Sequence, residues 1–161
     1  MKPIERVKEF LKKQEIMLEV IEFPEGATET CELAAQALGV LPAQIAKTLV
    51  FVGKKSNVLV VTCGDERVDQ KKLKEYIGDK FRFARGEEVE ELTGFPPGGV
   101  CPFALKSELP IIIDKSIERY PVVYTAAGNA GSAVPVTLEQ LLEVTHGKLL
   151  SVCGEWVEKR A

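Results

Sequence analysis

The chain has 161 residues, of which 45% are hydrophobic and 28% charged, with a formal net charge of −3. That length and apolar content suit a single globular domain over residues 1–161, and the negative balance argues against a broad electrostatic grip on nucleic acid, which rests on many phosphate contacts. The opening residues, MKPIERVKEFLKKQ, carry charge every few positions and no apolar run reaches the length of a membrane span, so neither a signal peptide nor a membrane partner is expected, and the expected location is the cytoplasm.

In chain order, Ile4, Val7, Phe10 and Leu11 form the stripe of an N-terminal amphipathic helix, and residues 17–23 read as a strand that Pro24 ends. Thr30 is placed to cap a helix whose apolar face is Leu33, Ala34, Ala37 and Leu38, with Gly39 as its stop. Residues 45–53 are rich in β-branched and aromatic side chains, and after GKKSN a second apolar run follows over 58–63, which predicts a hairpin. Asp69 can cap a helix through Ile77 that stops at Gly78, Phe81 and Phe83 suggest a short strand, and residues 87–92 a short helix. Residues 111–113, 122–125 and 133–136 read as strands, Thr137 with Gln140 is a capping-box signature for a helix carrying Leu138, Leu141 and Leu142, and residues 149–152 close the series as a strand. No internal repeat is present, and the sum is a mixed α/β (α+β) domain.

Two features point to chemistry. Residues 94–103, GFPPGGVCPF, hold three glycines, three prolines and no charge. Proline fixes φ and glycine admits close approach to the main chain, so Gly98 and Gly99 between Pro97 and Pro102 can turn N–H groups toward a carbonyl or a developing oxyanion. The same composition also suits a plain connecting turn. In the first hairpin strand, alternation puts Lys47 on the face of Leu49 and Phe51, and Ala46, Thr48, Val50 and Val52 on the other. An ammonium among bulky apolar side chains either snorkels to water from the strand mouth or serves to bind an anion and stabilise charge.

Four segments together, AKTLVF, GDERVDQKKL over 64–73, TGFPPGGVCPF and AAGNAG over 126–131, resemble in order and spacing the landmarks of the YbaK/ProX family. That family comprises free-standing aminoacyl-tRNA deacylases and the editing domain inserted in many bacterial prolyl-tRNA synthetases, and the resemblance runs from about Phe23 to near Val152. It implies a mixed sheet curled into a barrel-like core with helices around it, and a trans-editing hydrolase that cleaves the ester of mischarged aminoacyl-tRNA. The implied partners are the 3′ end of that tRNA and prolyl-tRNA synthetase, with no metal and no cofactor required. Carried over by position, Lys47 matches the hallmark lysine held to contact the substrate near its ester or phosphate. Thr48 lies beside it, Gly98, Gly99 and Val100 match the loop whose main chain orients the carbonyl, Cys101 follows in that loop, and Ala126 and Gly128 lie in the second glycine segment. An aminoacyl ester is already activated, so positioning and oxyanion stabilisation can suffice without a strong nucleophile.

The chain departs from the family's Cys-tRNA deacylases in having Ala126 where they carry serine and Ala133 where they carry an acidic residue. The resulting expectation is a more apolar pocket for a small amino acid, alanine or cysteine, on the tRNA for proline. The cysteines Cys31, Cys63, Cys101 and Cys153 are widely spaced without a CxxC motif and read as reduced thiols, mostly in the core. Cys101 with His146 as base would make a thiol hydrolase; the alternative is that Cys101 packs as a small apolar side chain. Residues 65–85 hold seven basic against five acidic side chains, either a local RNA patch or a solvated helix face. A non-catalytic protein that binds aminoacyl-tRNA or an aminoacyl metabolite beside a synthetase is the other functional class compatible with these residues.

Overall fold

Ala46–Gly53 (β2) and Asn57–Cys63 (β3) form the antiparallel hairpin on which the rest is hung, with Lys47 opposite Thr62 and Phe51 opposite Val58. The computed structural model describes residues 1–28 and 30–154. Its helices are Pro3–Lys12 (α1), Cys31–Leu38 (α2), Gln70–Ile77 (α3), Gly86–Thr93 (α4) and Leu138–Thr145 (α5). The remaining strands are Ile21–Glu22 (β1), Phe81–Phe83 (β4), Ile111–Asp114 (β5), Val123–Thr125 (β6), Ser132–Val136 (β7) and Lys148–Leu150 (β8). Among the described residues no helix is long and apolar enough to cross a membrane.

The continuous apolar run of β3 has a simple cause, for both of its faces are buried. Leu59, Val61 and Cys63 point into a main core shared with Val7 and Leu11 of α1, Phe95, Phe103, Ile113, Val134 and Leu141. Val58 and Val60 point the other way, into a second cluster with Phe51, Leu73, Phe81, Ile112 and Val152. Each fully buried side chain of this kind contributes roughly 1.5–3 kcal/mol. The caps read from sequence are formed: Thr30 Oγ1 accepts from Leu33 N at 3.1 Å, Asp69 Oδ1 from Lys71 N at 2.9 Å, and Thr137 and Gln140 close a reciprocal capping box.

Three expectations need correction. The β structure is not a closed barrel. It is a five-stranded sheet in the order β4-β2-β3-β5-β8 and a three-stranded sheet in the order β1-β7-β6, linked by one parallel bridge between Ile45 and Tyr124. Closure would need the edges β4 and β8 to pair, and each is a three-residue strand at opposite sides of the sheet. The strand over 17–23 shrinks to Ile21–Glu22, which pair with Ala133 and Ser132. Leu18 and Val20 instead pack against the core without a ladder partner, and Met17 is exposed, so the apolar pattern there reports packing and not pairing. The last strand ends at Leu150, because the N–H of Val152 donates to Asp114 Oδ1 at 2.9 Å.

Candidate active site

A cavity of about 300 Å³ opens between α2, the first half of β2, the Gly/Pro loop and the β6–β7 hairpin. Helix α2 presents Cys31, Ala34 and Leu38 to it, positions three and four apart that share one helical face. This is why the apolar face expected at Leu33, Ala34, Ala37 and Leu38 differs from the observed one: Ala34 and Ala35 are the buried pair, and Leu33 is 40% exposed. β2 contributes Ala46, Lys47, Thr48 and Leu49, the loop contributes Gly98 and Val100, and the β6–β7 region Tyr124, Thr125, Ala126, Ala130, Ser132 and Ala133. Methyl-sized side chains thus leave the space, and Ala126 and Ala133 both face it.

Lys47 has the strand parity expected of it, since Leu49 and Phe51 belong to the second cluster while Ala46 and Val50 belong to the main core. Its Nζ donates to the main-chain oxygen of Glu66 at 2.5 Å, in the turn after β3. An ammonium has three donors, and this bond commits one of them. The hydroxyls around the wall divide into two kinds. Thr28 Oγ1 donates to Ala130 O at 2.5 Å, Thr125 Oγ1 to Ala126 O at 3.0 Å and Ser132 Oγ to Asn129 O at 3.0 Å, so these three hold main chain in place. Thr48 Oγ1 is buried and has no hydrogen-bond partner among the described residues. A buried hydroxyl left so costs roughly 1–3 kcal/mol unless a ligand or water completes it.

The loop expectation divides between its two glycines. Gly98 lines the cavity with φ +89° and open space where a Cβ would stand. Gly99 does not line it. Its N–H donates to Pro96 O at 2.9 Å and its carbonyl accepts from Gly128 N at 3.0 Å, so the donor expected to serve an oxyanion is spent on a turn. A Cβ at Gly99 would lie 2.8 Å from Asn129 Cα and from the carbonyl carbon and oxygen of Gly128. Gly128 likewise stays out of the cavity wall; it has φ +101°, and a Cβ there would come within 2.9 Å of Pro3 C. The two glycine segments are therefore stitched to each other, and that seam holds Gly98, Val100 and Ala126 at the cavity.

Cys101 is fully buried, its thiol donates to Phe103 O at 3.7 Å, and burial pushes its pKa up to about 12. It packs in the main core and does not reach the cavity, and a thiol so protonated at neutral pH is no nucleophile. His146 is exposed and ends α5 in a left-handed conformation, φ +56°. Part of the basic stretch is committed within the molecule: Lys72 Nζ donates to Cys153 O at 2.9 Å, and Arg82 forms a two-armed bond to Glu88 at 2.8 and 2.9 Å. That pair, with the Arg85 N–H, holds the Glu88 carboxyl at about 2.

Sequence reasoning passed over Thr28, Thr125 and Ser132 in the wall and Glu66 behind Lys47, and it grouped Cys31 with the core thiols although that residue lines the cavity. Only Glu66 had a signal, since it falls within GDERVDQKKL.

Residues 25–144 match the family described as the aminoacyl-tRNA editing domain, and the chain belongs to that family. Over 140 residues it is 39% identical to the uncharacterized protein YwhH of Bacillus subtilis, covering 86% of this chain and 88% of that one. It is 30% identical over 125 residues to a candidate Cys-tRNA(Pro)/Cys-tRNA(Cys) deacylase, EbsC of Enterococcus faecalis, covering 76% of each. A candidate trans-editing enzyme for prolyl-tRNA synthetase, known from its crystal structure, superposes with a TM-score of 0.90 at 35% identity, over 96% of this chain and 99% of that one.

Proposed function

We propose that this protein is a trans-editing aminoacyl-tRNA deacylase that hydrolyses the ester of a small amino acid, alanine or cysteine, mischarged on the tRNA for proline. The observation that carries this reading is the convergence of Lys47, Thr48, Gly98, Val100 and Ala126 on one cavity of about 300 Å³. A space of that size lies at the small end of ligand pockets and suits an aminoacyl group with part of its ribose. The alanine-rich wall favours a small side chain, and Ala126 and Ala133 offer methyl groups to it. One methylene in an apolar pocket is worth roughly 1–3 kcal/mol, too little for a synthetase to reject a slightly smaller residue unaided, which is the reason for a second sieve by size.

In this reading the terminal aminoacyl-adenosine enters between α2 and the Gly/Pro loop. The Lys47 ammonium meets the ester oxygen or the neighbouring phosphate, where it stabilises negative charge as water attacks the carbonyl. The Thr48 hydroxyl gains a partner on the substrate. The Gly98 main chain borders the ester without a side chain in the way, and the stitched loops keep the wall from yielding, so orientation supplies much of the rate. In this reading the protein works in the cytoplasm, where its tRNA partner is charged, and acts beside prolyl-tRNA synthetase.

The test is release of amino acid from the tRNA for proline charged in turn with alanine, cysteine, serine and proline. Release from the alanyl or cysteinyl ester, with the prolyl ester spared, is expected. No release from any of them beside measurable binding would overturn the enzyme in favour of a non-catalytic binding protein.

A further inference from the structure

A lysine side chain has four rotatable carbons, so its ammonium is a mobile charge unless something outside its own strand aims it. For Lys47 that something is the turn after β3, where Glu66 O accepts from Nζ at 2.5 Å. The turn lies hard against the entry to β2. A Cβ at Gly64 would clash with Ile45 O and come within 2.9 Å of Pro42 O, so glycine alone lets the two backbones touch.

Facing the turn is Arg119, the last residue of the short 3-10 helix Lys115–Arg119 that follows β5. That helix is itself fixed on three sides. Asp114, 2% exposed, accepts from Ser116 N through Oδ2 and from Val152 N through Oδ1, both at 2.9 Å. Ile117 is fully buried, and Ser116 Oγ accepts from Cys63 N at 3.2 Å, at the end of β3 itself. From this base the Arg119 guanidinium donates to both carboxylate oxygens of Asp65, at 2.5 and 3.4 Å, and its Nη1 stands 3.9 Å from Oε1 of Glu66. The Arg119 and Asp65 side chains are 34% and 26% exposed. An ion pair so open to water adds little to fold stability, whereas its two-armed geometry fixes direction.

We propose that Arg119 is a positioning residue for Lys47: by gripping Asp65 with both arms beside Glu66, it fixes the turn whose Glu66 carbonyl aims the Lys47 ammonium at the cavity. The proposal rests on the reading of Lys47 as the group that meets the ester or phosphate.

The experiment measures kcat and KM for deacylation by the full chain and by Arg119→Met, Arg119→Lys, Lys47→Ala and the double variant Lys47→Ala/Arg119→Met. Arg119→Met is expected to lower kcat about ten- to a hundredfold, the scale of a misaimed catalytic group, with KM within about twofold. Arg119→Lys keeps the charge without the fork and recovers only part of the rate. In the Lys47→Ala background, Arg119→Met costs nothing further, since both changes remove one function. Wild-type kcat in Arg119→Met, or an equal fold-loss in both backgrounds, would overturn the proposal. Full activity in Lys47→Ala would instead sink the reading of Lys47, and a second readout then still decides what Arg119 does. In protein labelled with 15N-lysine, the side-chain ammonium signal assigned by its loss in Lys47→Ala should broaden or vanish in Arg119→Met; an unchanged signal counts against the proposal. Should Arg119→Met not fold, Asp65→Asn breaks the same grip from the other side and is held to the same outcomes.

Discussion

The two ends of the β2–β3 hairpin each bring a charged side chain to main-chain partners, with opposite results. At the tip, the Asp79 carboxylate accepts from the N–H groups of Lys54 at 3.2 Å, Lys55 at 2.8 Å, Ser56 at 3.0 Å and Lys80 at 2.8 Å. A Cβ at Gly53 would clash with Asp79 Oδ2, so the carboxylate is packed flush into the turn and its charge is spent on the fold. At the base, the Lys47 ammonium is held by Glu66 O, and the residue itself lines a cavity of about 300 Å³. An inward charge by itself is therefore no sign of a site. It becomes one where its protein partners leave room beside it for another molecule.

The sharpest way to break this contrast is Lys47→Ala, which should lower kcat about 10²–10³-fold, as removal of a charge-stabilising donor does elsewhere, with little change in melting temperature. A variant that deacylates at the normal rate would reduce Lys47 to a strand-end tether like Asp79. Next come the two loop glycines. Gly99→Ala sets a methyl 2.8 Å from three backbone atoms of the facing segment, none of which can swing aside as a side chain would. Its cost should reach about 3 kcal/mol in unfolding free energy, the upper end for overpacking, with loss of activity as the seam opens. Gly98→Ala meets open space and bears only the left-handed φ of +89°, about 1 kcal/mol. Denaturant unfolding of both variants checks the order; equal costs would mean that the seam between the glycine segments does not hold the wall.

At the hairpin tip, the contribution of Asp79 to stability depends on pH. Its main-chain bonds, that from Lys55 foremost, hold its pKa below the ordinary 3.8. The carboxylate therefore contributes stability that is complete above the unfolded value and is lost as pH falls below 3.8 through the lower folded pKa. Asp79→Asn should flatten this part of the acid limb when the urea midpoint is followed from neutral pH downward, and leave deacylation at neutral pH intact. An acid limb unchanged by the substitution would show that the tip charge does not hold the turn.

Much of the scaffold was legible because it follows from local rules. The hairpin, the caps at Thr30, Asp69 and Thr137, and the stops at Gly39 and Gly78 each rest on a few neighbouring residues. Lys47 was legible too, since strand parity alone sets it among apolar neighbours. What escaped is what depends on tertiary partners. Periodicity marks Ala34 as apolar but cannot tell a helix face that meets a core from one that meets a cavity. The partner of Lys47 is a main-chain oxygen, which carries no residue signature, and Arg119 reaches it from 53 positions beyond Glu66 (119 − 66) through Asp65. The Gly/Pro loop was read as a set of donors because composition suggests bare amides; whether an amide is bare depends on Pro96 O, and Gly99 N–H already has it.

The smallest expected effect is at Cys101, and it separates loop from core within one ten-residue segment. Val100 lines the cavity, while Cys101 turns inward and packs beside Phe95 and Phe103. Its thiol, pushed up to about 12 by burial, is protonated at any pH at which the enzyme would work. Cys101→Ala therefore removes one buried sulfur, costing on the order of 1 kcal/mol in stability, and should leave kcat and KM for deacylation at wild-type values. A thiol nucleophile would predict the reverse, abolished turnover with an intact fold. A rate that falls together with the melting temperature would instead mean that the inward half of the loop sets the position of the outward half, and that Gly98 and Val100 are held at the cavity by packing beneath them as much as by the seam to Gly128.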